Sequence, residues 1–210
     1  MNNFAVYILT SGFTNGFTDD FKQQVKKFTD NPQRFVFIAS EFNEGYDKTD
    51  KYCSEFLEQF SEMGISFTDK YIVDGRVSKE EAREKIAQAD VIWITGGHPI
   101  NQMKYINSYG LPAALQSSKA LIIGVSAGAI NMAKRVVLPR RNFIPELSVY
   151  YGIGLVDINI DPHFDMSDEK HIEEIKEAAL LSRIYGLYDD SFITVKDGVA
   201  EFYGDYIIFG

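Results

Sequence analysis

The sequence predicts an α/β protein whose mostly parallel sheet is covered by helices on both faces. Two observations carry that reading. Short apolar, β-rich runs alternate with amphipathic helical patterns from the N-terminus to Ala129. One of these runs, Leu121-Ile122-Ile123-Gly124-Val125, stops at Gly124-Val125-Ser126-Ala127-Gly128 and continues in small, helix-compatible residues. That is the pattern of a strand, a sharp turn and a helix.

Taken in order, Phe4–Leu9 reads as the first strand. Phe21, Val25 and Phe28 recur at helical spacing, and Asn31-Pro32 ends that helix. Phe35–Ala39 is a second strand. Tyr52, Phe56, Phe60 and Met63 mark a helix closed by Gly64. A third strand lies within 65–73. Ser78 and Glu81 have capping-box spacing and open a helix to about Ala89. Val91–Thr95 and Ala120–Val125 read as strands, with a helix at Pro99–Tyr109 between them. Beyond the Ser126 turn the rhythm loosens, and 134–154 reads as mixed and loop-rich. A helix is expected at about Ser167–Leu181, with Ser167 as its cap. Three short strands follow near Ile184–Leu187, Phe192–Lys196 and Val199–Tyr203, the last two joined by the hairpin turn Lys196-Asp197-Gly198.

Bulk properties narrow the function. At 210 residues, one domain spanning 1–210 is expected. The net charge of -9 argues against a nucleic-acid partner and against attraction to anionic membrane. No run reaches membrane-spanning length, and the N-terminus shows neither a basic region nor a long apolar stretch. A single cysteine, Cys53, excludes an intrachain disulfide and fits a reducing, cytoplasmic setting. Cys53 and Trp93 read as packing residues. No spacing of His, Cys and carboxylates suggests a metal site, the Gly96-Gly97 pair is no dinucleotide fingerprint, and no cofactor is expected.

Chemistry centres on Ser126. A serine at such a turn is pushed outward on a strained backbone, and flanking glycines let neighbouring chain approach without a Cβ clash. The plain alternative is a tight turn with no chemistry. A serine hydroxyl needs an adjacent base to act as a nucleophile, and the chain has three histidines. His163 follows Asn159-Ile160-Asp161-Pro162, a short strand running into a proline, and so falls at a strand end where sites gather in open α/β sheets. His171 falls on the polar, solvated side of a predicted helix. His98 follows the Gly-Gly pair and, with Gly96, is expected to line a substrate site. Asp189 and Asp190, after another strand, are candidates to orient the imidazole. The chain order Ser, His, acid differs from the Ser, acid, His order of α/β-hydrolases. Oxyanion donors are expected in the N–H groups of Ala127 and of the Gly96-Gly97 loop, chiefly Gly97.

The ordered set Ile94-Thr95-Gly96-Gly97-His98, Gly124-Val125-Ser126-Ala127-Gly128-Ala129, Asp161-Pro162-His163-Phe164 and Gly186-Leu187-Tyr188-Asp189-Asp190 resembles the peptidase E family of serine peptidases. That family includes aspartyl dipeptidase and cyanophycinase. The resemblance spans most of the chain. It implies a class I glutamine amidotransferase-like, flavodoxin-like three-layer fold, with serine in place of the amidotransferase cysteine. It implies Ser126 as nucleophile, His163 as base and Asp189, where the family often has glutamate, as third member. It also implies a small peptide substrate.

There are departures. Aspartyl dipeptidases typically show Gly-Gly-Gly-Asn-Thr where this chain has Thr95-Gly96-Gly97-His98-Pro99. Lys170 or His171 stands where aspartyl-specific members carry an arginine, and Arg141 lies near the place of an aspartate that some members have downstream of the serine. These departures speak against a strict preference for N-terminal aspartate. The basic cluster Lys134-Arg135 and Arg140-Arg141 reads as a solvated loop, with contact to a substrate carboxylate as the sharper alternative. Two rival functions stay open: a catalytically silent relative that binds a small ligand or partner, and an esterase or amidase on non-peptide substrates. Oligomeric state is not legible.

Overall fold

The computed structural model describes residues 5–141 and 143–210. Phe4, expected to open the first strand, lies outside the described residues. The chain begins with β1 (Val6–Thr10), α1 (Asp19–Phe28), β2 (Arg34–Ile38), α2 (Tyr46–Glu62), β3 (Asp69–Val73), α3 (Lys79–Gln88) and β4 (Val91–Ile94). It continues through α4 (Pro99–Ser108), α5 (Leu111–Ser117), β5 (Leu121–Val125) and the short α6 (Ala127–Asn131). A hairpin of β6 (Arg135–Leu138) and β7 (Ser148–Tyr151) leads to β8 (Asn159–Pro162), α7 (Glu169–Ala179) and β9 (Ile184–Leu187). The final strands are β10 (Phe192–Lys196), β11 (Val199–Tyr203) and β12 (Tyr206–Phe209).

The main sheet has seven strands in the order β11-β10-β1-β5-β4-β2-β3. Strands β1, β5, β4, β2 and β3 are mutually parallel, and β10 and β11 add antiparallel at one edge. The period-2 geometry of a strand sends alternate side chains to opposite faces. Along β4, Ile92 and Ile94 enter one core with Ala82 and Ile86 of α3, Ile106 of α4 and Leu115 of α5. Val91 and Trp93 enter the other, with Phe21 and Val25 of α1 and Phe60 of α2. This is the expected mostly parallel sheet with helices on both faces. A second sheet, β12-β9-β8, sets β8 parallel to β9 and carries α7.

Several details differ from expectation. The third strand starts only at Asp69, because the chain leaving α2 is still engaged with it: the Ile65 N–H donates to Phe60 O at 2.9 Å. The cap of α7 is Asp168, whose side chain accepts the His171 N–H. Ser167 instead donates to Asp165 Oδ1. The stretch read as loop-rich contains the β6–β7 hairpin, in register Arg135↔Tyr151 to Leu138↔Ser148. Helix α5 and strand β12 had no clear signal, both being short.

Candidate active site

The C-terminal ends of the parallel strands converge on one edge of the sheet. Strand β5 ends at Val125, and Ser126 follows with φ 50° and ψ -111°. A non-glycine residue at positive φ is held there only by its surroundings. The Ser126 N–H donates to Thr10 O at 2.9 Å, tying the turn to the end of β1. A Cβ on Gly128 would run into the Ile94 carbonyl, so α6 can cross this closely over β4 only with glycine there.

Three side chains form a continuous chain of hydrogen bonds. His163 Nε2 lies 3.0 Å from Ser126 Oγ, and His163 Nδ1 lies 2.6 Å from Asp189 Oδ1. His163 follows β8 and Asp189 lies just beyond β9, so the parallel β8–β9 pairing sets imidazole and carboxylate side by side. Both are about half exposed. Such a chain can accept the serine proton on Nε2 while the carboxylate fixes the Nδ1–H tautomer. Asp190, the rival third member, points elsewhere: its Oδ1 accepts the Thr14 N–H at 2.8 Å.

Ser11, just past β1, was not singled out by sequence reasoning. Its Oγ accepts the His163 N–H at 2.7 Å and donates to Asp189 Oδ1 at 3.0 Å. One buried hydroxyl thus holds the backbone of the histidine and the carboxylate together. Its sequence signal is its position after a strand of the parallel sheet.

The Thr95-Gly96-Gly97 loop lies against the serine. A Cβ built on Gly96 would sit 3.3 Å from Ser126 Cβ. The loop is pinned by buried amides: Gln102 Nε2 donates to Thr95 O at 2.8 Å, while Asn131 Nδ2 donates to Gln102 Oε1 at 3.0 Å and to Pro99 O at 2.9 Å. Gln102 and Asn131 also escaped sequence reasoning, since nothing local marks a polar residue as buried. His98, expected to line a substrate site, stands at the head of α4. It caps α4, its Nδ1 accepting the Asn101 N–H at 3.4 Å, and its ring meets Phe143 edge-on. Ala127 N–H is the first of α6 and has no acceptor within that helix.

Behind His163 sits an ionic cluster. Arg141 donates to Asp161 Oδ1 at 2.6 Å and to the Pro162 carbonyl at 2.7 Å. His171 Nε2 meets Asp161 Oδ2 at 3.0 Å, and its Nδ1 lies 3.5 Å from Glu174. His171 is therefore largely buried in an ion-paired cluster rather than solvated. Burial alone would lower its pKa, but the hydrogen bond and charge of Asp161 outweigh this and raise it. Arg140 pairs with Glu177 and approaches Glu174. Of the basic cluster, these two arginines are ion-paired, and with Lys170, His171 and His163 they also line a cavity of about 470 Å³.

A cleft of about 750 Å³ opens on Ser126, Gly96, Gly97 and His163, and continues along α2. Among the described residues no group of three or more His, Cys, Asp or Glu could hold a metal ion. No helix among them is long and apolar enough to cross a membrane.

Residues 7–203 match the model of peptidase family S51. The chain belongs to that family. A peptidase E from Citrobacter koseri is 27% identical over 168 residues, covering 74% of this chain and 70% of the relative. A peptidase E from Salmonella arizonae is 26% identical over 164 residues, covering 72% and 69%. The crystal structure of a peptidase from an acI-B1 Actinobacterium superposes with TM-score 0.73 at 15% identity, covering 96% of this chain and 88% of that one. A protein from Listeria monocytogenes assigned to peptidase E gives TM-score 0.68 at 20% identity, covering 95% and 98%. At these identities the two structures show a shared fold. Membership of family S51 makes the chain a peptidase, a hydrolase of the class the motifs resembled, and implies a peptide substrate.

Proposed function

We propose that this S51 member is a serine peptidase acting on small peptides through an acyl-enzyme on Ser126. Residues 1–210 serve as one catalytic domain. The observation that carries the reading is the unbroken Ser126–His163–Asp189 hydrogen-bond chain, at 3.0 and 2.6 Å, on a backbone strained at the serine. Ser126 Oγ attacks the scissile carbonyl as its proton passes to His163 Nε2. Asp189 holds the imidazole in the productive tautomer and stabilises its charged form. The N–H groups of Gly97 and Ala127 receive the oxyanion. His163 then gives the proton to the leaving amine, and water, activated by the same imidazole, releases the acyl group. No cofactor enters this sequence.

The test is covalent labelling. A fluorophosphonate is expected to modify the native protein at Ser126 alone, located by peptide mass spectrometry, and to leave Ser126→Ala unmodified. Equal labelling of that variant, or none of the native protein, would favour a catalytically silent relative. Turnover of acyl esters with none of dipeptides would favour an esterase.

A further inference from the structure

We propose that the cleft beside Ser126 is a subsite for an aromatic side chain of the substrate and disfavours an acidic one, an inference that rests on the peptidase reading above. Thr49, Tyr52 and Phe56 stand at helical spacing on α2 and all line the cleft. Tyr52 is 41% exposed and lines the cleft, so part of its side chain is open to an incoming group. Phe56 is backed by Trp93, ring centroids 4.3 Å apart, so it is a firm wall and not a mobile flap. The volume, about 750 Å³, suits a ring with its attached backbone. A further ring between these two would bury apolar surface and gain offset or edge-on contacts.

Charge at the mouth sets the second half of the proposal. Glu41 and Glu44 border the cleft, against one cation, Lys48. Glu41 is held in place, its Oε1 accepting the Phe42 N–H at 3.0 Å and the Asn43 N–H at 3.3 Å. The Lys48 ammonium lies 5.5 Å from the Tyr52 ring centroid. Two carboxylates against one ammonium leave the mouth net negative. A substrate carboxylate entering here would be desolvated beside like charge.

Calorimetry on the Ser126→Ala protein tests this without turnover. The ligands are Phe-Ala, Ala-Phe, Asp-Ala, Ala-Asp and Ala-Ala. At least one aromatic dipeptide is expected to bind about tenfold more tightly than Ala-Ala, a gain one partly buried ring can supply. Its acidic counterpart, with Asp in the same position, should bind no better than Ala-Ala. Adding Tyr52→Ala, an exposed change the fold tolerates, should erase the aromatic gain, and adding Glu44→Lys should improve the acidic counterpart severalfold. If no dipeptide gains from the ring, or the gain survives Tyr52→Ala, or that acidic counterpart binds as well as the aromatic one, the proposal falls. Fluorophosphonate labelling of the native protein is independent of these outcomes, so the peptidase reading and the subsite can fail separately.

Discussion

Ser126, His163 and Asp190 carry φ of 50°, 57° and 69°, three non-glycine residues in the left-handed region around one site. Each such residue costs on the order of 1–3 kcal/mol and persists only where neighbours over-determine it. The neighbours are identifiable. Ser126 N–H is held by Thr10 O, His163 N–H by Ser11 Oγ and Asp190 N–H by Gly12 O. All three anchors sit on the segment leaving β1, which makes residues 10–12 the frame of the site. Ser11→Ala removes the acceptor of the His163 N–H and a donor to Asp189 together. It is expected to lower kcat roughly 10–100-fold, the worth of a hydrogen bond to a charged group, with a smaller change in KM and an unchanged far-UV spectrum. Gly12→Ala would place a methyl 2.9 Å from His163 Cε1 and 3.0 Å from Asp189 Oδ1. It should displace one of the pair and suppress fluorophosphonate labelling of Ser126 in a folded protein. Asp189→Asn should cost on the order of 10³–10⁴ in kcat by disfavouring the productive tautomer, whereas Asp190→Asn should cost far less. Comparable losses in the two aspartate variants would undo the assignment of Asp189. Ser126 and His163 could be picked out of the sequence as candidates because their local patterns, Gly-x-Ser-x-Gly and a strand running into Pro-His, are themselves structural. Ser11 was not, because its importance comes from contacts 152 and 178 residues away along the chain.

At the scale of elements, the position of His163 depends on how β8 is held. Three elements meet at Asp161 on that strand: Arg141 from the loop after β6, His171 from α7, and β9 alongside. Arg141 also takes the Pro162 carbonyl, immediately before the histidine. A buried carboxylate with one partner removed is strongly destabilising, so this cluster should behave as a unit. His171 adds a pH dependence. The groups facing it are Asp161 from β8, Arg141 from the loop, and Glu174 on its own helix. Asp161 raises its pKa above the ordinary histidine value of about 6.5 against the opposing effects of burial and of Arg141. A group with a raised folded-state value contributes stability fully below its unfolded value and loses it as pH climbs through the folded one. The melting temperature should therefore fall as pH rises above about 6.5, and His171→Gln should flatten that part of the curve. A parallel slope in that variant would show that another group carries it. Sequence periodicity placed α7 but put His171 on a solvated face, since only the fold shows that β8 runs beneath it. The same limit explains α5, β12 and the β6–β7 hairpin, elements of four to seven residues whose patterns are too brief to separate from loop.

On the scale of the whole molecule, the mostly parallel sheet with helices on both faces was readable from the alternation of strand and helix patterns and from continuous apolar runs such as Val91–Ile94, because burial on both faces demands such a run. What alternation could not supply was strand order, in which β4 and β5 insert between β2 and β1 and bring Gly96 beside Ser126. The layer formed with α1 and α2 contains two reporters, the only tryptophan and the only cysteine of the chain. Trp93 is fully buried, and Cys53 is 3% exposed. Burial, aided by the nearby charge of Asp50 and opposed by that of Lys70, pushes the Cys53 thiol up to about 12. The thiolate is the reactive form, so at pH 8 almost none is present in the folded protein. Ellman's reagent should therefore leave the native chain unmodified over hours and react stoichiometrically once it unfolds. Both reporters belong to one contiguous core, in which the ring of Phe60 meets Trp93 at 5.8 Å, edge-on. In a urea titration, thiol reactivity and the shift in Trp93 emission should therefore share one midpoint. Cys53 reacting at urea concentrations where Trp93 emission is still native would mean that the first half of α2 opens locally while the contacts of Phe56 and Phe60 with Trp93 hold. Because that half of α2 also carries Tyr52, such an opening would widen the cleft beside Ser126, and the aromatic gain in dipeptide binding should then decline in step with the rise in thiol reactivity.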